Sequence, residues 1–344
     1  MSRLGIASSV TLATIVTLLG GPAALAREPV REQSFSMVAV TWRGPATPDV
    51  QVRTRDADGW GRWTDLHPLS DGPADSAAEA TGVHGTELRW VGPSDAAQVR
   101  TDGPAPPGLD LVLIDPGTRA SDRTATPVAA REARTARKAT DGVPKPELLS
   151  RAAWGADNSL RNGSPAYGSS LKQVHVHHTV TGNDYARADV PALIRGMYEY
   201  HTRSLGWFDL GYNFLVDRFG RAWVGRSGGA GRKVQGAHTL GFNHSSVGIA
   251  VIGNHEEGAV RGRVLTTIAA IAAWKLDKAG RPRATGNVTV TSKGSDRFPA
   301  GQRVRLPVVD GHRDTNETAC PGTLLYDRLD EVRAKTQKRM ARYR

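Results

Sequence analysis

The sequence contains a single cysteine among its 344 residues, so no intramolecular disulfide can form. An exported protein that needed covalent staples would normally carry paired cysteines, so we expect stability here to come from packing. Apolar runs long enough to cross a bilayer are absent after residue 26, and we expect no internal membrane span. Nucleic-acid-binding motifs are absent too. The net charge of +11 therefore suits an anionic wall polymer or a membrane surface better than nucleic acid.

The N-terminal 26 residues have the pattern of a secretory signal peptide. A positive charge at Arg3 precedes a run of apolar and small residues, and Ala24-Leu25-Ala26 forms a small-x-small cleavage site. We expect cleavage after Ala26, with an uncleaved membrane anchor as the alternative. The pattern predicts a secreted, extracellular protein associated with the cell wall.

The composition predicts two domains joined by a linker. Residues 30–116 contain short alternating strands, with an Asp58-Gly59 hairpin signal, and predict a separate, sandwich-like N-terminal all-β domain. Residues 117–147 are rich in Ala, Thr, Arg and Pro without apolar periodicity, which indicates a linker. Residues 148–344 alternate strand and helix signals, so this part belongs to the α/β class.

The lone cysteine, Cys320, lies eight residues after His312 and follows a strand-like run over residues 304–309. A free thiol in an oxidising compartment is a liability unless something occupies it, and a metal ion is the simplest occupant. A buried, inert core cysteine is the alternative. The pairing with His312 favours metal ligation.

A second histidine cluster lies far upstream, at His175, His177 and His178. Side chains alternate along a strand, so His175 and His177 share one face and His178 points to the other. Spacing alone allows His175 and His177 to chelate together or either one to act alone, and it also allows each to be an ordinary core residue. Two imidazoles and one thiolate would leave a fourth position for water, the pattern of a catalytic zinc site.

Seven sequence blocks follow one another in an order typical of a single family. They are Ser150–Ala156, His177–Thr179, Gly211–Phe214, Gly236–Thr239, Gly241–Asn243, Ser246–Ile249 and Gly311–Pro321. Over residues 148–333 the chain resembles the peptidoglycan recognition proteins and the related type 2 N-acetylmuramoyl-L-alanine amidases. The resemblance implies a central mixed β-sheet flanked by helices, a groove for a peptidoglycan stem peptide, and a zinc ion at its floor.

The resemblance also assigns roles to individual residues. It implies that His177, His312 and Cys320 hold Zn²⁺, and that Tyr212 is the catalytic hydroxyl. Thr318 stands where phage-type enzymes have lysine and animal amidases often have threonine, and we expect it to assist catalysis. The substrate-binding residues implied are His238, Asn243 and His178. The donor of the proton to the leaving amine stays open between Tyr212 and His238.

The function implied by this resemblance is hydrolysis of the amide between the lactyl group of N-acetylmuramic acid and L-alanine. A non-catalytic peptidoglycan-binding recognition protein is the alternative, and such proteins typically lack the zinc cysteine. Because Cys320 is present, we expect an enzyme. We expect peptidoglycan as the partner, no nucleic acid, and a monomer.

Overall fold

The computed structural model describes residues 26–27, 30–73, 81–124 and 142–344. Almost all of the predicted signal peptide and the middle of the predicted linker lie outside these residues. Among the helices of the described part, none has the length and apolarity needed to cross a bilayer.

The N-terminal domain is built from antiparallel strands that are linked into one hydrogen-bonded sheet. These strands are β1 (Ala26–Arg27), β2 (Arg31–Arg43), β3 (Val50–Asp56), β4 (Gly59–Trp60), β5 (Thr64–Leu66), β6 (Val83–Gly85), β7 (Arg89–Thr101) and β8 (Asp110–Ile114). The two long strands, β2 and β7, pair with different neighbours along their length, which gives the order β4-β3-β7-β2-β6 with β8 also on β2. The prediction of a separate all-β domain is confirmed.

The β3–β4 hairpin follows the turn chemistry of its sequence. Gly59 has a φ of 106°, which favours glycine, and the amide of Asp58 donates to the Asp56 carboxylate over 2.9 Å. Along β3, Val50 and Val52 are buried and alternate with partly exposed polar residues. The period-2 pattern therefore buries one face of this strand.

The C-terminal domain has a central sheet with the order β11-β10-β12-β9-β15. Its strands are β9 (Gln173–His178), β10 (Phe214–Val216), β11 (Ala222–Val224), β12 (Ser246–Val251) and β15 (Val309–Gly311). Only β11 runs antiparallel to its neighbour, so the sheet is mixed, as predicted. A separate two-stranded ladder joins β13 (Asn287–Thr291) to β14 (Arg303–Pro307).

Helices cover both faces of the central sheet. They are α1 (Val190–Glu199), α2 (Gly262–Lys278), α3 (Thr323–Tyr326) and α4 (Leu329–Arg342), and a π-helical turn, Tyr200–Ser204, continues α1. On β9, Val174 and Val176 pack in the cluster that contains α2 and α4. Alternation then places His175 and His177 on the opposite face, which α1 covers. The α/β prediction is confirmed.

The two domains share a hydrophobic core. Met37 and Leu88 of the N-terminal domain are buried in the same cluster as Leu193 and Met197 of α1. The contact is close at Gly196, where a Cβ atom would lie 2.2 Å from the sulfur of Met37. The N-terminal domain is therefore packed directly against the α1 side of the C-terminal domain.

The start of the predicted linker takes part in this packing. Residues Ala120–Thr124 form a 3₁₀ turn in which Asp122 is buried. The two carboxylate oxygens of Asp122 accept hydrogen bonds from Arg195 of α1 over 2.9 and 2.8 Å. A bidentate arginine–carboxylate pair fixes geometry as well as charge, so this stretch is anchored to the C-terminal domain.

Candidate metal centre

Two neighbouring parallel strands and a following loop bring the three predicted ligands together. Strand β15 pairs with β9 so that Gly311 lies opposite Val176, which places His312 beside His177 with ring centroids 4.6 Å apart. Cys320 Sγ lies 3.6 Å from His177 Nδ1. All three side chains are buried, and one ligand atom from each lies within 4.8 Å of the others. Among the described residues, no other cluster of three or more histidine, cysteine, aspartate or glutamate side chains meets these criteria for holding a metal.

The loop that carries Cys320 is held against the end of β15. The amide of Arg313 donates to the Cys320 carbonyl over 2.9 Å, and the Cys320 amide donates to Thr318 Oγ1 over 3.2 Å. Gly311 makes the close approach feasible, because a Cβ atom there would lie 2.8 Å from both Pro321 and Tyr326. The position of the thiol is therefore set by backbone contacts within the motif.

His177 is oriented by residues behind it. Its Nε2 lies 3.1 Å from His238 Nδ1 and 3.3 Å from Thr239 Oγ1, so its Nδ1 faces Cys320. A metal-bound histidine usually donates its second N–H to such a partner. Gly248 on β12 leaves room for the His238 ring, since a Cβ atom there would lie 2.4 Å from it.

His238 is fully buried behind His177, where sequence reasoning placed a residue in contact with substrate. A position with no exposed surface and a contact to a predicted ligand suits an orienting role, and the contact of His238 with substrate stays a prediction. The sequence could not distinguish these roles, because both place a histidine close to the metal.

The protonation states suit a soft divalent cation. Burial lowers the pKa of His312 to about 3 and that of His177 well below its usual value, so both imidazoles are neutral at pH 7. Burial raises the pKa of the Cys320 thiol, and a bound cation would stabilise the thiolate and release its proton. Two imidazoles and one thiolate are typical zinc ligands, so the residues present fit Zn²⁺.

The other two histidines of β9 have different partners. His175 Nδ1 lies 2.5 Å from Asp310 Oδ1 in a fully buried pair, and Gln173 donates to the second oxygen of Asp310 over 2.9 Å. His175 is therefore a core residue, and the chelating pair with His177 is not formed. His178 Nδ1 accepts a hydrogen bond of 3.1 Å from the His255 amide, and its contact with substrate stays a prediction.

Tyr212 and Thr318 border the metal centre, as the sequence predicts. The Tyr212 ring centroid lies 5.5 Å from that of His177, and Thr318 lines the same cavity. Burial raises the pKa of Tyr212, so its hydroxyl stays protonated at neutral pH. Asn243 Oδ1 accepts from the His238 amide over 2.9 Å, so Asn243 is also buried beside the centre.

Sequence reasoning missed one residue of the centre, Asp71 of the N-terminal domain. Its Oδ2 accepts a hydrogen bond of 2.6 Å from the Tyr212 hydroxyl. Its Oδ1 lies 3.3 Å from His312 Nδ1 and 3.8 Å from His177 Nδ1. Burial is the largest influence on Asp71 and raises its pKa to about 7. The surrounding Ser70-Asp71-Gly72 has the composition of a surface turn, which gave no signal of a buried role.

The space that remains at the centre is small. A cavity of about 30 Å³ is bordered by Asp71, Tyr212, His312 and Cys320 among others. A water molecule needs at least about 10–15 Å³ of such volume, so the cavity holds roughly two. A peptide does not fit in it.

Two families match the sequence, one in each half of the chain. Residues 167–323 match the family described as N-acetylmuramoyl-L-alanine amidase. Residues 7–141 match the family described as Rv3811 N-terminal galactose-binding domain-like. Peptidoglycan-recognition protein SC2 of Drosophila simulans is 29% identical over 184 residues, which cover 53% of this chain and 84% of that protein.

Solved structures of recognition proteins resemble the same half of the chain. Wild-type Drosophila PGRP-LB is 26% identical, with a TM-score of 0.42, over 54% of this chain and 92% of that one. Peptidoglycan recognition protein-LE, solved in complex with tracheal cytotoxin, a monomeric diaminopimelic acid-type peptidoglycan, is 28% identical, with a TM-score of 0.41, over 54% and 92% of the two chains. The C-terminal half of this chain is thus similar to the N-acetylmuramoyl-L-alanine amidase family and to peptidoglycan recognition proteins.

Proposed function

We propose that the protein is a zinc-dependent N-acetylmuramoyl-L-alanine amidase. It hydrolyses the amide between the lactyl group of N-acetylmuramic acid and the L-alanine of the stem peptide. The observation that carries the proposal is the buried meeting of His177, His312 and Cys320 in a domain similar to this family. Zn²⁺ held by these residues would lower the pKa of a bound water toward about 7 and polarise the scissile carbonyl.

The side chains around the centre supply the remaining chemistry. Tyr212 is protonated at neutral pH and close to His177, so its hydroxyl is suited to donate to the carbonyl oxygen as negative charge develops there. Thr318 is a second, weaker donor at the edge of the same cavity. His238 holds His177 in the orientation that directs Nδ1 to the metal.

A peptidoglycan-binding protein without hydrolysis is the rival function, because the family includes proteins named for recognition. The small cavity does not distinguish the two functions, since it admits a peptide to the metal for neither binding nor hydrolysis. A complete set of metal ligands, including the cysteine, favours the amidase.

The localisation and the partners belong to the same proposal. We propose that the N-terminal segment directs export and that the protein works at the cell wall on peptidoglycan. The net charge of +11 would help it associate with anionic wall polymers. The monomeric state stays a prediction.

Digestion of purified peptidoglycan tests the proposed reaction. The zinc-loaded protein should release stem peptides with a free N-terminal L-alanine, identified by mass, and a chelator should stop the release. Cys320→Ser, which removes one ligand with little change in volume, is the matched control and should release none. Sedimentation with peptidoglycan in the absence of any release would favour the recognition protein.

A further inference from the structure

We propose that Asp71 is a fourth ligand of the metal, and that the closing segment (residues 68–72) of the N-terminal domain holds most molecules of the full chain in a closed form, so that only a small open fraction hydrolyses substrate. The inference rests on the proposed function, because it assumes a metal at His177, His312 and Cys320. It adds to that function a mode of control and a ligand from the other domain.

The distances from Asp71 to the two histidines are those between ligands of one metal ion. With bonds of about 2.0–2.3 Å, a tetrahedral zinc site has ligand atoms roughly 3.3–3.6 Å apart. Asp71 Oδ1 lies 3.3 Å from His312 Nδ1 and 3.8 Å from His177 Nδ1. Cys320 Sγ lies 3.6 Å from the same nitrogen of His177. Asp71 Oδ1 is therefore at ligand distance from both histidines, but Asp71 is not one of the residues whose ligand atoms all lie within 4.8 Å of one another, so it would complete a fourth position by a shift toward Cys320.

The hydrogen bonding of Asp71 points the same way. Its side chain is only 6% exposed, and Oδ1 has no hydrogen-bond partner, although Oδ2 is bonded by Tyr212. Burying a carboxylate oxygen without a partner is costly, and buried charges are normally paired or coordinate metals. A cation between Asp71 and the two histidines would remove this cost.

The closing segment is fixed by contacts to the C-terminal domain. The Gly72 carbonyl accepts a hydrogen bond of 2.9 Å from Asn243. Close by on β6, Gly85 lies so near Tyr200 that a Cβ atom would be 2.3 Å from its hydroxyl. That hydroxyl donates to the Thr86 carbonyl over 2.7 Å. The approach of the carboxylate to the metal site is therefore built into the domain interface.

This arrangement is incompatible with hydrolysis in the same state. The reaction needs an exchangeable position on the metal, which Asp71 occupies, and a free hydroxyl on Tyr212, which Asp71 binds. A larger cleft of about 750 Å³ adjoins the centre, with residues 67–73 on one side and Trp207 and Leu240 on the other. Displacing the closing segment would connect this cleft to the metal site.

A catalytic base at Asp71 is the competing interpretation. A base acts on a water that lies between it and the metal, so it needs space for that water. With Oδ1 3.3 and 3.8 Å from the two imidazole nitrogens, no water fits directly between Asp71 and either nitrogen, although the cavity that Asp71 borders has space for water. The geometry favours ligation.

Asp71→Ala tests the ligand assignment in the full-length, metal-loaded protein. With Co²⁺ as the metal, azide should leave the visible spectrum of the wild type unchanged and shift that of Asp71→Ala, whose fourth position is open. The affinity for Zn²⁺ should fall at least about tenfold, since loss of outer-shell partners alone costs 10–100-fold. Asp102→Ala, an exposed aspartate of the same domain, should behave as the wild type in both measurements.

The rate of stem-peptide release should rise in Asp71→Ala, whereas the affinity for Zn²⁺ falls. With saturating Zn²⁺, Asp71→Ala should release stem peptides at least about tenfold faster than the wild type, because the fraction of open molecules limits the rate. An azide response in the wild type equal to that of the variant would overturn the proposal. Loss of turnover in Asp71→Ala with unchanged Zn²⁺ affinity would overturn it too, in favour of a base. If affinity and azide behave as expected but no variant cleaves peptidoglycan, the ligand stands and the amidase reaction fails.

A second variant tests closure while leaving Asp71 in place. Gly85→Ala should wedge the domains apart at Tyr200, so it should increase turnover and make the Co²⁺ spectrum sensitive to azide. Gly61→Ala is its control, because the nearest atom to a Cβ there is 3.4 Å away. If Gly85→Ala is folded by thermal melting and matches Gly61→Ala in both readouts, docking of the N-terminal domain does not close the site.

Discussion

The Tyr212 hydroxyl donates a hydrogen bond of 2.6 Å to the carboxylate of Asp71, across the boundary between the two domains. The residue proposed to stabilise charge during hydrolysis is thus bound to a residue that faces both histidines proposed to hold the metal. One carboxylate couples the packing of the N-terminal domain to the chemistry of the C-terminal one.

Tyr212→Phe, made in the Asp71→Ala background, should reduce turnover by about 10²–10³-fold, because it removes one donor to the developing oxyanion. The double variant separates this effect from any loosening of the closing segment. The measurement is the initial rate of stem-peptide release at saturating Zn²⁺. Tyr167→Phe, at a tyrosine that is 41% exposed, should leave the rate unchanged.

His238→Phe should weaken Zn²⁺ binding by about 10–100-fold, because it keeps a ring but removes the nitrogen that holds His177. The KM for a muropeptide, measured at saturating Zn²⁺ in the Asp71→Ala background, should change little. A raised KM with unaltered Zn²⁺ affinity would instead support the substrate contact that the sequence predicts for this residue.

Gly248→Ala should destabilise the protein by about 1–3 kcal/mol, the usual cost of overpacking, because its Cβ would lie 2.4 Å from the His238 ring. Gly262→Ala, at the first residue of α2, meets no atom within 4 Å and should be neutral or slightly stabilising. Urea unfolding of both variants checks the contrast. Equal stabilities would mean that the His238 pocket can relax.

Asp122→Asn should cost about 3 kcal/mol at pH 7, because it leaves the buried Arg195 without its charged partner. Burial is the largest single influence and would raise the pKa of Asp122, but the hydrogen bonds and charges of Arg195 and Arg119 together outweigh it and the folded pKa is lowered. Such a group contributes stability above its unfolded pKa of about 3.9, and this contribution is lost as the pH falls through the folded value. The difference in unfolding free energy between wild type and variant should therefore shrink below about pH 4. A difference that is independent of pH would contradict the assignment.

Much of the C-terminal domain could be predicted from local patterns and motif chemistry. The alternation in β9 put His177 and His178 on opposite faces, and the lone Cys320 with His312 indicated a metal ligand. Alternation could not choose between His175 and His177, since both share a face. The buried partner of His175, Asp310, decides the matter, and it comes from a distant strand.

The contribution of the N-terminal domain could not be predicted. Asp71 lies in a segment with the composition of a surface turn, and nothing local indicates that it is buried against another domain. The interface depends on which apolar faces meet, as in the contact of Met37 with Gly196. Such long-range contacts leave no periodicity in the sequence.

If the proposed function is right, this chain hydrolyses one particular amide with a metal held by His177, His312 and Cys320. The most direct test is digestion of a defined muropeptide by the zinc-loaded Asp71→Ala protein in ¹⁸O-labelled water, followed by mass analysis of both products. We predict one ¹⁸O atom in the lactyl carboxylate and an unlabelled peptide with a free N-terminal L-alanine, with no products from the same protein carrying Cys320→Ser. Label in a peptide carboxylate, or equal product with and without Cys320, would contradict the claim.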